Sequence, residues 1–577
     1  MSELRYEKML QVLPAVDSPV AVVGGGIAGI WAAYKLIKAG IPTTLITYLD
    51  KDRGGIQGST YRSVGAINTS PLKNNDFASY IDDLGRKCTH PSVVKALQLY
   101  LKDEIDELSS IVALKPIKIG LTLESESGKS FLQYMYELFE SVGGRIINAW
   151  VTRLVVDKDS CRGLQYEKNG YIGKLRCRAI VLASGGYAGL YSNSINTSCL
   201  GTMLGRFMEC GGAATNLEFL FKHGYGNIDT HDLTPTEELA GAEIYDKNKN
   251  RIFWLEKLLF EGKGTSTHLP AVKFWLSHRN VNYFIDLSYR PLYLAIYEFN
   301  SAIQSQYNQQ AAGQISIQYE KDSLEKMLNF FPENSRIAVF EKISDSGKLQ
   351  LIQYEKFEEL KQVFPIEHSK IFQVKPITYF SMGGVAHIDF RTNLKNIYVT
   401  GECMHDFGAN RIGGLPWGLY LTSGRIIGEQ IVNQLKADEK QADFELVLQK
   451  SHFNWELLKA IRERLYEYQE KNFSEAQALE CIHWFRETRS SLIQNYENLS
   501  DSVAWLIVAE AIMQSSLCRR ESRGYFFRSD SPCEDENLNK YFSYAWYDQQ
   551  NNIVKAQLLE VSHFRSQLTD CVGSLIS

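Results

Sequence analysis

Hydrophobic positions along the 577-residue chain follow two periods. Four apolar residues, Val20-Ala21-Val22-Val23, precede Gly24-Gly25-Gly26-Ile27-Ala28-Gly29. The segment Ile30 to Lys38 then repeats apolar residues at helical spacing, and Thr43-Thr44-Leu45-Ile46-Thr47 is again strand-like. Strand, glycine turn, helix and strand within about 30 residues predict a βαβ unit. Its glycines permit a tight turn and close approach of a pyrophosphate, and the helix start offers unpaired N–H donors, so the unit predicts dinucleotide binding by Gly24, Gly26, Ile27 and Ala28. Two further apolar runs end in small residues: Arg178 to Gly186, through Ala183-Ser184-Gly185, and Asn396 to Glu402, through Gly401. One cofactor domain interrupted by inserts accounts for three such strand ends spread over some 400 residues.

Between about 236 and 365 the chain mixes charged and aromatic stretches and carries one strand-like run, Asn282 to Leu287, as a cap would. Beyond 445 the period is helical, at Leu457 to Tyr468 and Ser502 to Cys518. The expected fold is α/β. It comprises a Rossmann-like cofactor-binding domain (1–235 and 366–445), an α+β capping domain (236–365) and a C-terminal helical domain (446–577).

Composition narrows the chemistry mainly by exclusion. With 44% hydrophobic residues and a net charge of −5, the chain can bury a core and has no basic stripe for nucleic acid. Val20 to Tyr34 is too short and too glycine-rich to span a bilayer, and the charged N-terminus is unlike a signal peptide, so a cytoplasmic protein is expected. The ten cysteines are never closer than 11 residues, which leaves no CxxC pair and no iron–sulfur cluster. His405, in Cys403-Met404-His405-Asp406, lacks partners for a metal site.

The acidic residue that often binds ribose at the end of the second strand is here Thr47, with Asp50 and Asp52 displaced, so the first motif does not choose between NAD and FAD. Further segments do. Gly58-Ser59-Thr60 followed by Gly65-Ala66-Ile67, Asn216-Leu217-Glu218-Phe219 before His223, Met382-Gly383-Gly384, Gly408-Ala409-Asn410-Arg411 before Gly424-Arg425, and Glu521-Ser522-Arg523-Gly524 occur in one order. Together they resemble the flavoprotein family of succinate dehydrogenase, fumarate reductase and L-aspartate oxidase over nearly the whole chain. Thr47-Tyr48 resembles that family's Ser/Thr-Lys pair.

The resemblance implies FAD, held by Gly24, Gly26, Ile27, Ala28, Thr47, Gly58, Ser59, Thr60, Gly65, Ala66, Val151, Ala183, Ser184, Gly185, Gly401, Glu402, Arg411, Pro416 and Trp417. Glu402 is the candidate for the ribityl hydroxyls. Ser59 stands where relatives with covalent flavin carry His, so the link is expected to be non-covalent. Pro416 and Trp417, in Leu415-Pro416-Trp417, replace the family's Asn-Ser-Leu; Pro416 donates no N–H, so flavin contacts there fall to neighbouring amides. His223 and Arg411 match substrate-side residues, although Gly224-Tyr225 replace the usual Pro-Thr. Leu239, Tyr379 and Phe407 stand where the dicarboxylate enzymes carry Arg, His and His.

Candidate catalytic residues are therefore Arg411, Tyr379 and His223. Arg411 fits a carboxylate anchor, a flavin contact or a buried ion pair; Tyr379, a proton-transfer or packing residue; His223, a site or core histidine; Trp417, a substrate wall or core. The expected activity is an FAD-dependent oxidase or dehydrogenase transferring hydride between a small organic substrate and flavin N5. An amino acid or amine is favoured over a dicarboxylate. A C–C desaturase or reductase of the fumarate-reductase type, and a degenerate FAD-holding assembly partner, are the alternatives. Expected partners are the substrate and an electron acceptor, oxygen or another redox partner; the sequence leaves oligomerisation open.

Overall fold

The computed structural model describes residues 12–49, 58–73, 76–117, 119–227, 239–262, 283–310, 317–344, 351–364, 371–404, 406–411, 413–435, 442–448, 453–471, 473–495 and 501–561. His405, Asp50, Asp52 and Asn282 lie outside them. The described chain groups into two compact units, residues 1–221 with 378–577, and Lys222–Ile377. The inserted unit thus starts 14 residues before 236 and ends 12 after 365, and the segment after 446 groups with the first unit.

The first unit is organised by a five-stranded sheet of β1 (Val20–Val23), β2 (Thr43–Thr47), β3 (Arg145–Asn148), β4 (Ala179–Leu182) and β5 (Ile397–Val399). Its order is β5-β4-β1-β2-β3 and every pair is parallel. β1, β2, β4 and β5 are buried throughout, as a sheet covered on both faces requires, which is why they read as continuous apolar or Thr-rich runs. Helix α1 (Ile27–Lys38) buries Ile27, Ile30, Trp31 and Leu36, and its Trp31 indole donates to Glu104 (2.7 Å). Helix α2 (Leu415–Gln434) packs Gly424 against Trp31 and Ala32 of α1, where a Cβ would come within 3.0 Å of the indole.

Beyond residue 446 the helices Trp455–Leu465, Glu475–Gln494 and Asp501–Cys518 appear, the first running into a π turn at Tyr466–Lys471. The strands Tyr541–Asp548 and Ile553–Glu560 follow as a hairpin and join Ala213–Thr215 in an antiparallel sheet. Glu521-Ser522-Arg523-Gly524 lies just before this hairpin. Arg519, fully buried, donates to Glu218 (2.5 Å) and Glu521 (3.0 Å), Arg523 donates to Glu521 (2.7 Å), and Ser543 donates to Glu218 (2.6 Å). Each buried charge is met by an opposite charge or a hydrogen bond, as burial demands.

The second unit carries a four-stranded sheet ordered Leu220–Asn227, Ile371–Ser381, Tyr283–Asp286, Glu243–Tyr245. Its helices bury Leu292, Ile296, Phe299, Val339 and Phe357 in a separate core. The Asn282 to Leu287 strand is found at Tyr283–Asp286. Among the described residues no helix is long and apolar enough to cross a membrane.

Candidate cofactor and substrate site

Gly24, Thr47, Ala183 and Gly401 end or follow neighbouring strands at the C-terminal edge of the parallel sheet. β1 runs into Gly24, whose N–H donates to Ile46 O (2.8 Å); Ala183 N donates to Val23 O (2.8 Å) and Thr400 N to Leu182 O (2.9 Å). These bonds hold the ends of β1, β2, β4 and β5 side by side. Gly24 has φ +108°, and a Cβ there would lie 2.2 Å from Ala183 O, so the turn admits only glycine. Gly26 differs. It caps α1 without any side-chain hydrogen bond, and a Cβ would meet only Thr60 Oγ1, at 3.2 Å.

The start of α1 thus offers a backbone cradle with no acidic residue in its first turn, the arrangement that a pyrophosphate needs. Thr60 Oγ1 accepts from Ile27 N (3.1 Å) and Tyr136 donates to Gly25 O (2.6 Å), which fixes the loop. Ala28 faces Gly401, whose added Cβ would come within 2.9 Å of the alanine methyl. Thr47 ends β2 and is buried; Val151 is buried in the strand Trp150–Asp157 just after β3. Gly58 opens the described segment leading to Thr60, and Ser184 and Gly185 follow β4 as partly exposed residues. The donor-rich, side-chain-free rim fits a dinucleotide.

Glu402 sits at the end of β5 and accepts from Ser59 Oγ (2.5 Å), Ser381 N (3.2 Å) and Ser381 Oγ (3.3 Å). Burial pushes its carboxyl above the usual range, while Ser59 and the Arg411 charge pull it back. Ser381 escaped the sequence reading, although it stands immediately before Met382-Gly383-Gly384. Gly65 and Trp417 are in contact: a Cβ on Gly65 would reach the indole at 3.1 Å, and the Trp417 ring lies 5.2 Å from Phe131. The described neighbours of Trp417 therefore include core side chains. Ala66 is partly exposed, and Pro416 occupies the first turn of α2 behind the cap Gly414.

Arg411 and Tyr379 belong to the first unit. The Arg411 side chain is 3% exposed, with its guanidinium 3.9 Å over the Phe380 ring and 5.6 Å from the Phe221 ring. Its Nη1 is buried without a hydrogen-bond partner and lies 3.8 Å from Asp406 Oδ2, which is equally buried and equally unpartnered. A bidentate ion pair with Asp406 is thus absent and Nη1 keeps a free donor, while Tyr420 hydrogen-bonds the same guanidinium. Tyr379 packs at 3.8 Å against Phe380 and 6.4 Å from Phe221, its carbonyl accepting from Asn196 (2.5 Å). Burial raises its hydroxyl pKa and Arg411 lowers it. Phe407 is buried, and its carbonyl accepts from Thr89 (3.1 Å).

His223 and Leu239 belong to the second unit, and both are buried. His223 Nδ1 accepts from Tyr225 N (3.3 Å), and burial pushes the imidazole pKa down to about 4. The folded chain therefore holds a neutral ring that the unfolded chain protonates below about 6.5. As pH falls from 6.5 towards 4 the unfolded state binds the extra proton, so stability is lost across that window, on the order of 3 kcal/mol in total. Thermal melts between pH 7 and 4 should show this loss, and His223→Phe should flatten it. An unchanged slope in the variant would assign the effect to other groups.

Two family models match the chain, FAD dependent oxidoreductase over residues 19–125 and fumarate reductase flavoprotein C-term over residues 486–569. The protein is an FAD-dependent oxidoreductase, similar to the succinate dehydrogenase, fumarate reductase and L-aspartate oxidase flavoproteins. L-aspartate oxidase of Pyrococcus abyssi is 21% identical, covering 90% of this chain and 96% of its own. The fumarate reductase flavoprotein subunit of Escherichia coli is 24% identical, covering 68% and 66% respectively. Among solved structures, a quinol-fumarate reductase with menaquinol molecules superposes with TM-score 0.68 at 17% identity over 95% of this chain and 98% of that one. Flavoproteins of this family bind FAD, and the rim around Gly26 and Glu402 supplies contacts of the kind such a cofactor needs.

Proposed function

We propose that the chain oxidises a small organic substrate carrying at most one carboxylate and an apolar or aromatic remainder, an amino acid or amine in preference to a dicarboxylate. The observation that carries this reading is Arg411 with its unpartnered Nη1, surrounded by Phe221, Phe380 and Tyr379. In this reading the guanidinium binds the carboxylate through its planar fork, and the three rings shed water from the rest of the substrate. Tyr379 positions the substrate and holds a proton on its hydroxyl, which burial keeps neutral at physiological pH. His223, a neutral ring in the second unit, is assigned to the substrate side by the resemblance.

FAD, when bound, supplies the hydride acceptor at N5. Gly24, Gly26, Ile27 and Ala28 would hold its pyrophosphate; Thr47 and Val151, the adenosine side; Ser59, Thr60 and Glu402, the ribityl hydroxyls. Gly58, Gly65, Ala66, Ala183, Ser184, Gly185, Gly401, Pro416 and Trp417 shape the walls, and Arg411 serves flavin and substrate together. With Ser59 in place of a linking histidine, acid precipitation of the purified protein should release the flavin into the supernatant. Colour retained in the washed pellet would contradict this assignment.

At the three positions where the resemblance puts the dicarboxylate enzymes' Arg and two His, this chain carries Leu239, Tyr379 and Phe407, none of them a cation for a second carboxylate. Burying that group unpaired costs roughly several kcal/mol, about a thousandfold or more in rate. Anaerobic reduction of the flavin, followed by bleaching of its absorbance against amines, amino acids and organic acids, tests the reading. Monocarboxylate amino acids or amines should bleach it. Succinate and L-aspartate should do so poorly, and turnover of either at ordinary enzyme rates would overturn the proposal.

A further inference from the structure

The Arg411 cluster holds two carboxyl groups for one guanidinium. Asp406 and Glu402 are both buried beside one guanidinium, and among the described residues Arg411 is the cation that acts on both. Asp406 Oδ1 accepts from Phe407 N (2.6 Å), but Oδ2 has no donor and faces Arg411 Nη1 across 3.8 Å. Two carboxylates sharing one guanidinium cannot both stay ionised cheaply in a buried site, and a third anion arriving at Arg411 makes the excess worse.

We infer that Asp406 is a proton-holding positioning residue: when a substrate carboxylate binds Arg411, Asp406 takes one proton from solvent onto its free Oδ2, so that the site gains no net charge. The inference rests on Arg411 being the carboxylate anchor proposed above. Asp406 itself need not touch the substrate; it acts through the guanidinium. Burial already pushes its carboxyl up to about 7, with Glu402 adding to the rise and Arg411 opposing it, so the proton is exchangeable in the physiological range.

The groups around Asp406 leave it as the exchangeable one. Tyr420 of α2 and Tyr187 both feel the Asp406 charge, and burial keeps their hydroxyls neutral well above the ordinary range. Glu402 is stabilised by three hydrogen bonds, from Ser59 and Ser381, whereas Asp406 has one backbone donor. His90, whose N–H donates to Asp406 O (3.2 Å), has its ring engaged by His387 O (2.9 Å) and Ser92 N (3.2 Å).

The test is ligand binding to the FAD-loaded protein under anaerobic, non-turnover conditions, with acetate, benzoate and phenylacetate as probes. Calorimetry in two buffers of different ionisation enthalpy, between pH 5.5 and 9, reads affinity and proton uptake together. Wild type should take up close to one proton per ligand above pH 7, with Kd rising about tenfold for each pH unit there. Asp406→Asn, a neutral mimic of the protonated acid, should bind with a pH-independent Kd near the low-pH wild-type value and take up no proton. A flat wild-type profile without proton uptake, or a slope that persists in Asp406→Asn, overturns the inference while leaving Arg411 as the anchor. Failure of all three probes to bind at any pH overturns the anchor reading and this inference with it.

Discussion

Arg411→Met is expected to lower kcat/KM for the best monocarboxylate substrate about a thousandfold, because it removes the only described cation among Phe221, Phe380 and Tyr379. Methionine approximates the volume and leaves the rings in contact, so most of the loss should come from the missing charge. The fold should survive: Asp406, which would otherwise be stranded as a buried anion, is already poised to take a proton, its carboxyl lying at about 7. Arg411→Lys should recover only part of the activity, since a compact ammonium lacks the fork that meets both carboxylate oxygens. Steady-state kinetics with the substrate found in the bleaching panel, together with FAD content and a thermal melt, separate these effects. If Arg411→Met keeps wild-type kcat/KM at full flavin loading, Arg411 is not the anchor.

The second large effect is expected at Gly26. Gly26→Val should abolish flavin loading in a chain that still folds. An added Cβ meets only Thr60 Oγ1, at 3.2 Å and not backbone, so the turn itself does not exclude a side chain as it does at Gly24. The space it fills is the cradle at the start of α1, which is proposed to hold the pyrophosphate, and loss of that contact would cost several kcal/mol of binding, roughly a hundredfold or more. Gly24 provides the contrast. There a Cβ would lie 2.2 Å from Ala183 O at φ +108°, so Gly24→Val should damage the sheet edge itself and lower the melting temperature even without cofactor. Flavin absorbance per chain and the apo-protein melt distinguish the two. Normal FAD stoichiometry in Gly26→Val would show that the cofactor lies elsewhere.

How far the sequence reached can be seen element by element. The run Val20 to Thr47 was legible because strand, glycine turn and helix are set by local sterics and a clear change of period. β4 and β5 were legible because strands buried on both faces are continuously apolar. The helices beyond 455 were visible in their period, whereas the hairpin Tyr541–Glu560 was not singled out, since its aromatic-rich first strand takes its register from the distant Ala213–Thr215. The limits of the inserted unit, Lys222 and Ile377, were similarly hidden: they fall inside continuous strands, with no break of composition to mark them.

At the site, the sequence by itself determined which residues were present: the glycine turn, Glu402, Arg411 and the substitutions Ser59, Leu239, Tyr379 and Phe407. Only the tertiary structure decided how they are paired. Ser59 and Ser381 reach Glu402 across separations of 343 and 21 residues, and Arg519 reaches Glu218 across 301. No local pattern encodes such pairings, because they arise where strands distant in sequence end side by side. The same holds for the 3.8 Å gap that leaves Arg411 and Asp406 facing each other unbonded. Residue type fixes that a buried guanidinium needs an acceptor; the packing of Phe221, Phe380 and the loop after β5 decides that its neighbour in the protein does not fully provide one.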